Sequence, residues 1–167
     1  RAYKNNRKDL FRLGYTTTNS LSISGNNDRG SVRASLTHMK NNWILPNTGF
    51  QRVTATLSGQ QQVSRLLSLN YRTTYTWRKS DNLPSVGYSS NSIAYFLIFQ
   101  NPSIDLDWYR TMWIKGEENV TQSQPFSKNI GNPFLTLYEC VNPTEKHSNI
   151  SMLSANLKCA HGMRDRQ

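Results

Sequence analysis

What this 167-residue chain lacks narrows the possibilities first. No apolar run exceeds IAYFLIF, residues 93–99, whereas a membrane-crossing helix needs ~20 apolar residues in a row. No helix of this chain is expected to cross a bilayer. Only 36% of the residues are apolar, and Ser, Thr and Asn are abundant, a composition poorly suited to an ordinary compact core. Cysteine is nearly absent, with Cys140 and Cys159 alone. Neither belongs to the tight Cys-x-x-Cys or His-x-x-x-His pairs of zinc sites. Cys159 and His161 with His147 make at most a loose ligand set, so the two cysteines read as unpaired thiols, and no metal or cofactor is expected. An initiator Met, a basic leader and a signal-type segment are also missing, so the chain is expected to begin inside a longer protein or after processing.

Acidic residues are scarce as well. Twenty Lys and Arg face ten Asp and Glu, giving a net charge of +10 and a pI near 9.9. Such a balance makes nucleic acid the first partner to consider, but that partner requires a concentrated patch. The nearest is RAYKNNRKDLFR, where Arg1, Lys4, Arg7, Lys8 and Arg12 surround Asp9. Elsewhere the cations are scattered through expected loops and strand ends, so no nucleic acid is expected as the main partner.

What is present is alternation. In RLLSLNYRTTYTWRK, residues 65–79, Leu67, Leu69, Tyr71, Thr73, Tyr75 and Trp77 share one parity, and Ser68, Asn70, Arg72, Thr74 and Thr76 share the other. Side chains of a strand point to opposite faces in turn, so this stretch is a two-faced ribbon. Leu21 and Ile23 alternate with Ser20, Ser22 and Ser24; Val32, Ala34 and Leu36 with Arg33, Ser35 and Thr37; Val53, Ala55 and Leu57 with Arg52, Thr54, Thr56 and Ser58. NNDRG between the first two predicts a tight hairpin, with Asn27, Asp28 and Gly30 suited to unusual dihedrals. Pro46, Asn47 and Gly49 interrupt the pattern. A fifth strand is less regular: Leu153, Ala155 and Leu157 follow one parity, Ile150 and Met152 the other. Between strands four and five, a long segment rich in Pro, Gly, Asn and aromatics predicts one short helix near SIAYFLIF and a turn around NPSIDLDWY, where Pro102 stops any helix. Its aromatics (Tyr88, Tyr95, Phe96, Phe99, Trp108, Tyr109, Trp113) predict order and packing.

Ribbons about ten residues long, with short turns at one end and long loops at the other, suit an outer-membrane barrel. Lipid offers backbone groups no partners, so a spanning sheet must satisfy them between strands and close, with an apolar outside and a polar lumen. On that reading Leu67, Leu69 and Tyr71 face lipid, and Tyr75 and Trp77 lie in the headgroup girdle. Arg33, Arg52, Asn70 and Arg72 face the lumen. A soluble sandwich, its apolar faces set against a second sheet, produces the same alternation.

Several motifs occur in a familiar order. Phe11, Arg12 and Gly14 fit a Phe-Arg-x-Gly start. Asn19, Ser22, Ile23, Ser24 and Gly25 fit an Asn-x-x-Ile-Ser-Gly-Gly strand end, with Asn26 in its last place; Pro46, Asn47 and Thr48 fit a Pro-Asn-Thr loop. KSDNLPSVGYSSNSIAYFLIFQNPSIDL is similar to an Asp-Asn-Arg-Pro loop with its following aromatic segment, and GNPFLTLYE to an Asn-Pro-Tyr/Phe motif. Up to about Lys158 the chain thus resembles the early barrel region of the SusC/RagA family of TonB-dependent outer-membrane transporters. Two departures stand out: Trp43 where glycine is usual, and the tail CAHGMRDRQ, which suggests truncation or a frame change near Cys159.

The resemblance implies an all-β fold: an antiparallel up-and-down meander, part of a transmembrane barrel of roughly 22 strands. Residues 1–158 then form a partial receptor-like barrel, with strands at about 15–25, 31–40, 50–60, 65–78 and 149–158, a long extracellular loop over 79–148, and an atypical tail, 159–167. It further implies the outer membrane of a Gram-negative bacterium, outer-membrane lipid around the barrel, import of oligosaccharides or peptides, a SusD-like surface lipoprotein as lid, and TonB acting through parts of the protein outside this chain. Tyr88, Trp108, Tyr109 and Trp113 are the loop candidates for contacting ligand or partner. Enzymatic chemistry is not expected. Asp105 with Asp107 and Glu117 with Glu118 are loop neighbours with no acid–base assignment, and His38, His147 and His161 lack a nucleophile in a recognisable elbow or any phosphate loop. A secreted carbohydrate-binding β-domain is the alternative, and a basic nucleic-acid-binding β-domain the third.

Overall fold

A computed structural model describes residues 8–83, 85, 87–90 and 92–158. Cys159, His161 and the tail therefore lie outside the described residues, as do Arg1, Lys4 and Arg7 of the basic start. Five strands, β1 (Tyr15–Asn27), β2 (Gly30–Asn42), β3 (Gly49–Gln62), β4 (Leu67–Asn82) and β5 (Thr144–Leu157), form one antiparallel meander in sequential order. The sheet does not close on itself. Helix α1 (Ile93–Phe99), a 3₁₀ turn (Leu106–Tyr109) and helix α2 (Pro133–Tyr138) lie between β4 and β5.

The strands run past the alternating stretches that mark them in the sequence. Polar side chains outside the alternation help hold those extensions: the Ser80 hydroxyl donates to the Gly49 carbonyl at 2.6 Å, and Asn82 Oδ1 accepts the Asn142 N–H at 3.1 Å. The β2–β3 connection shrinks accordingly to residues 43–48. There Asn47 adopts φ 53°, and a Cβ on Gly49 would collide with the Asn41 carbonyl, so glycine is required at that close approach. The β1–β2 turn corrects an expectation. Asn27, Asp28 and Gly30 all have negative φ; the Asn27 side chain instead accepts the Arg29 N–H at 3.0 Å, an Asx turn that needs no left-handed residue.

The chain divides into two compact units. The sheet unit comprises Thr18–Met39, Arg52–Trp77 and Lys146–Gln167. Among its described residues none is buried, so neither face of this part of the sheet has a covering layer within its own unit. Cross-strand contacts fix which residues share a face. Ser20 and Thr37 hydroxyls lie 3.0 Å apart, and Thr56 and Thr74 hydroxyls 3.3 Å apart, on the polar side. On the other side the Tyr71 ring lies over Gly59, where a Cβ would strike it, an aromatic filling the gap a strand glycine leaves.

The loop unit comprises Arg1–Thr17, Lys40–Gln51 and Arg78–Glu145. It owns the core: Leu10, Ile93, Phe96, Ile104, Leu106, Tyr109, Ile130, Phe134 and Leu137 form one buried cluster. α1 starts at Ser92, whose hydroxyl accepts the Tyr95 N–H at 3.2 Å, and Phe96 of α1 meets Tyr109 edge-on at 5.2 Å. Truncating a buried aromatic such as Phe96 to Ala costs about 3–5 kcal/mol.

Candidate functional site

The polar face of the sheet unit gathers three of the four residues expected to line a lumen. Arg33, Asn70 and Arg72, with Ser58 and Gln60, border a shallow depression of about 680 Å³. Arg52 is not part of it; its guanidinium points along the sheet to Met39 Sδ, 3.7 Å away. All three arginines are exposed and none is ion-paired among the described residues. The apolar face is equally open. Leu21, Ile23, Ala34, Leu36, Ala55, Leu57 and Tyr75 line a depression of about 340 Å³, and Leu21, Ile23, Leu153 and Leu157 are each about two-thirds or more exposed.

The irregular parity of β5 resolves by its partners. The Tyr75 hydroxyl lies 2.7 Å from His147 Nδ1, and the Thr73 hydroxyl 2.8 Å from that of Ser151. Residues 147, 149, 151, 153, 155 and 157 therefore share the apolar face. Met152 borders the arginine-lined depression on the opposite side.

Apart from Asn19 and residues 22–26, which lie on β1 in the sheet unit, the motif residues do something else: they build the loop unit. Arg12 donates from Nε to the Trp43 carbonyl (3.1 Å) and from Nη2 to the Thr48 carbonyl (2.9 Å), clamping the loop that holds Pro46-Asn47-Thr48. Asn47 and Asn82 each donate to the Leu137 carbonyl, at 2.9 and 3.0 Å. Asn132 is fully buried and capped on every valence: Nδ2 donates to the Tyr109 and Ser123 carbonyls, and Oδ1 accepts the Phe134 and Leu135 N–H groups. With Pro133 at its first turn, Asn132 starts α2. The Asn-Pro pair is a helix-start signal that the sequence reading did not use.

Among the loop aromatics, Tyr109 is corrected: it is 1% exposed and belongs to the core, so it presents no surface to a ligand. Burial pushes its hydroxyl above the usual tyrosine range, against the lowering effect of a hydrogen bond with the Phe126 backbone. Tyr88 is 77% exposed and forms a surface trio with Tyr95 (5.4 Å) and Phe99 (6.1 Å). Trp108 is half-exposed, and Trp113 is partly buried in a bridge to Gln122.

The paired carboxylates hold turns. Asp105 Oδ1 accepts the Asp107 N–H at 3.0 Å, Asp107 pairs with Arg110 at 2.5 Å, and Glu118 accepts the Gly116 N–H, which holds its carboxyl below the usual range. Cys140 is a free, exposed thiol. Among the described residues no His, Cys, Asp and Glu side chains cluster as a metal site, and no helix is long and apolar enough to cross a membrane. Neither a protein-family model nor a curated protein matches the chain.

Proposed function

We propose that this chain is part of an outer-membrane β-barrel importer of the TonB-dependent, SusC/RagA-like type, with the apolar face toward acyl chains and the arginine-bearing face toward a wet lumen. One observation carries the reading: no described residue of the sheet unit is buried, yet β1 to β4 keep an apolar face that Leu153, Ala155 and Leu157 extend onto β5. A soluble sheet of this size ordinarily covers that face, because burying each Leu or Ile fully is worth roughly 1.5–3 kcal/mol. The length supports it too. Within the sheet unit, β1 to β5 contribute residues 18–27, 30–39, 52–62, 67–77 and 146–157, that is 10 to 12 residues each, against the about 9–11 a tilted strand needs to cross hydrocarbon. The open edges at β1 and β5 call for further strands, since unpaired backbone is not tolerated in lipid. A SusD-like lid, TonB and an oligosaccharide or peptide cargo belong to the same proposal through the resemblance alone.

Fractionation tests it. The gene product expressed in a Gram-negative host is expected in the outer-membrane fraction, resistant to an alkaline wash and released by detergent. Recovery in the soluble periplasmic or secreted fraction without detergent would overturn the reading and favour the carbohydrate-binding alternative.

A further inference from the structure

The sheet unit carries charge of almost one sign. Its described residues include seven Lys or Arg and a single carboxylate, Asp28, which sits in the β1–β2 turn. Arg33, Arg52, Arg72 and Lys146, one from each of β2 to β5, occupy the polar face. No carboxylate shares that face among the described residues. Arg33 and Arg72 border one depression from β2 and β4, with β3 between them, a separation of two strand spacings, about 10 Å. That exceeds the screening length at physiological salt, about 8 Å, so salt largely screens these cations from one another, and no salt bridge among the described residues neutralises either.

The groups between them are hydroxyls and amides: Ser58, Gln60, Asn70, Thr56 and Thr74. Among the described residues of the unit the aromatics Tyr71, Tyr75 and Trp77 have the opposite parity, and of these only Tyr71 also borders the depression.

We propose that this face recognises an acidic saccharide chain, its carboxylate or sulfate groups held by Arg33, Arg52 and Arg72 and its hydroxyls by the intervening Ser, Thr, Asn and Gln. The proposal rests on the reading above, in that it takes this face to meet water and cargo. Guanidinium groups match oxyanions with paired, planar donors, and hydroxyl–amide surfaces exchange hydrogen bonds with sugar hydroxyls in either direction. A neutral sugar gains nothing from the arginines. Single-stranded nucleic acid would satisfy the charge but relies on aromatic platforms for its bases, and every aromatic among the described residues of the unit carries the opposite parity.

The test uses the full chain, purified in detergent, or in buffer if it needs none. Binding is measured to polygalacturonate, dextran sulfate, neutral dextran and poly(dT). The acidic glycans are expected to bind at least about tenfold more tightly than dextran, and to lose that advantage when salt rises from ~0.1 M to ~1 M and screening shortens from ~10 Å to ~3 Å. Replacing Arg33, Arg52 and Arg72 together by Gln should lower acidic-glycan affinity about tenfold or more and leave dextran unchanged, whereas the triple Lys variant should retain part of the advantage. Circular dichroism checks that each variant keeps its β-structure; were the triple Gln variant to unfold, the single Arg72→Gln variant must show a smaller loss in the same direction. Equal binding of dextran, an unaffected Gln variant, or tighter binding of poly(dT) than of either glycan overturns the proposal. Failure of the barrel reading is seen separately: a soluble chain that still prefers acidic glycans loses the membrane and keeps the face, and an outer-membrane chain indifferent to glycan charge does the reverse.

Discussion

Leu57→Arg separates a lipid-facing sheet from a water-facing one. Leu57 stands at the centre of the 52–62 stretch of β3, on the apolar face, and is 41% exposed. If that face meets hydrocarbon, position 57 lies near the bilayer midplane, where an arginine on the lipid side of a barrel costs about 2–4 kcal/mol. That lowers the folding equilibrium in vesicles roughly 30- to 700-fold. If the face meets water, the leucine already stands at an exposed position, and the change falls within about 0.5 kcal/mol, as surface substitutions usually do. Ser58→Arg is the internal control: one residue on, it borders the arginine-lined depression on the opposite face, where a lumen substitution should cost less than about 1 kcal/mol. The assay is refolding of the full-length protein from urea into phosphatidylcholine vesicles, followed by fluorescence of the chain's four tryptophans. A Leu57→Arg loss below about 1 kcal/mol, or a Ser58→Arg loss as large as it, refutes the assignment of faces.

Two further predictions concern the loop unit. Asn132→Ala removes an N-cap worth about 1 kcal/mol and strips the Tyr109 and Ser123 carbonyls of a buried donor at about 1–3 kcal/mol, so the urea midpoint of near-ultraviolet dichroism should fall by the equivalent of about 2–4 kcal/mol. Tyr109 keeps its proton more firmly folded than unfolded; its contribution is therefore intact below the ordinary value of 10.0 and is lost as pH rises through the raised folded value. Tyr109→Phe should flatten that alkaline loss in a melting-temperature series above neutrality, and a variant with an unchanged alkaline slope would remove Tyr109 as its source.

How much of this was legible follows from where the determining contacts lie. Alternation over residues 16–78 marks strands because a half-exposed sheet has period two, and that alone yields the sequential meander. It fails at β5, where Ile150 and Met152 compete with Leu153, Ala155 and Leu157; only the cross-strand partners, His147 with Tyr75 and Ser151 with Thr73, settle which set sits with the other leucines. The loop unit was legible only as a short helix and a packed aromatic segment. Its fastening is remote: Asn47 and Asn82 reach the Leu137 carbonyl across 90 and 55 residues. Helix α2 was within reach, since Asn132-Pro133 is a start signal, but a helix of six residues shows too little periodicity to announce itself.

The motif residues and the charged residues divide the work in a way that bears on any family assignment. Arg12, Asn47, Thr48, Asn82 and Asn132, which carry part of the SusC/RagA resemblance, spend their polar atoms on backbone carbonyls and N–H groups of the loop unit. They hold a scaffold. Arg33, Arg52 and Arg72 belong to none of the motifs, and among the described residues they enter no salt bridge, Arg52 alone reaching Met39. A residue that stabilises no neighbour leaves its charge for an external partner or for solvent. Relatedness by motif would therefore identify the frame and say little about what binds to it, whereas the sign of the charge on the exposed polar face bears directly on the charge of any partner that binds there.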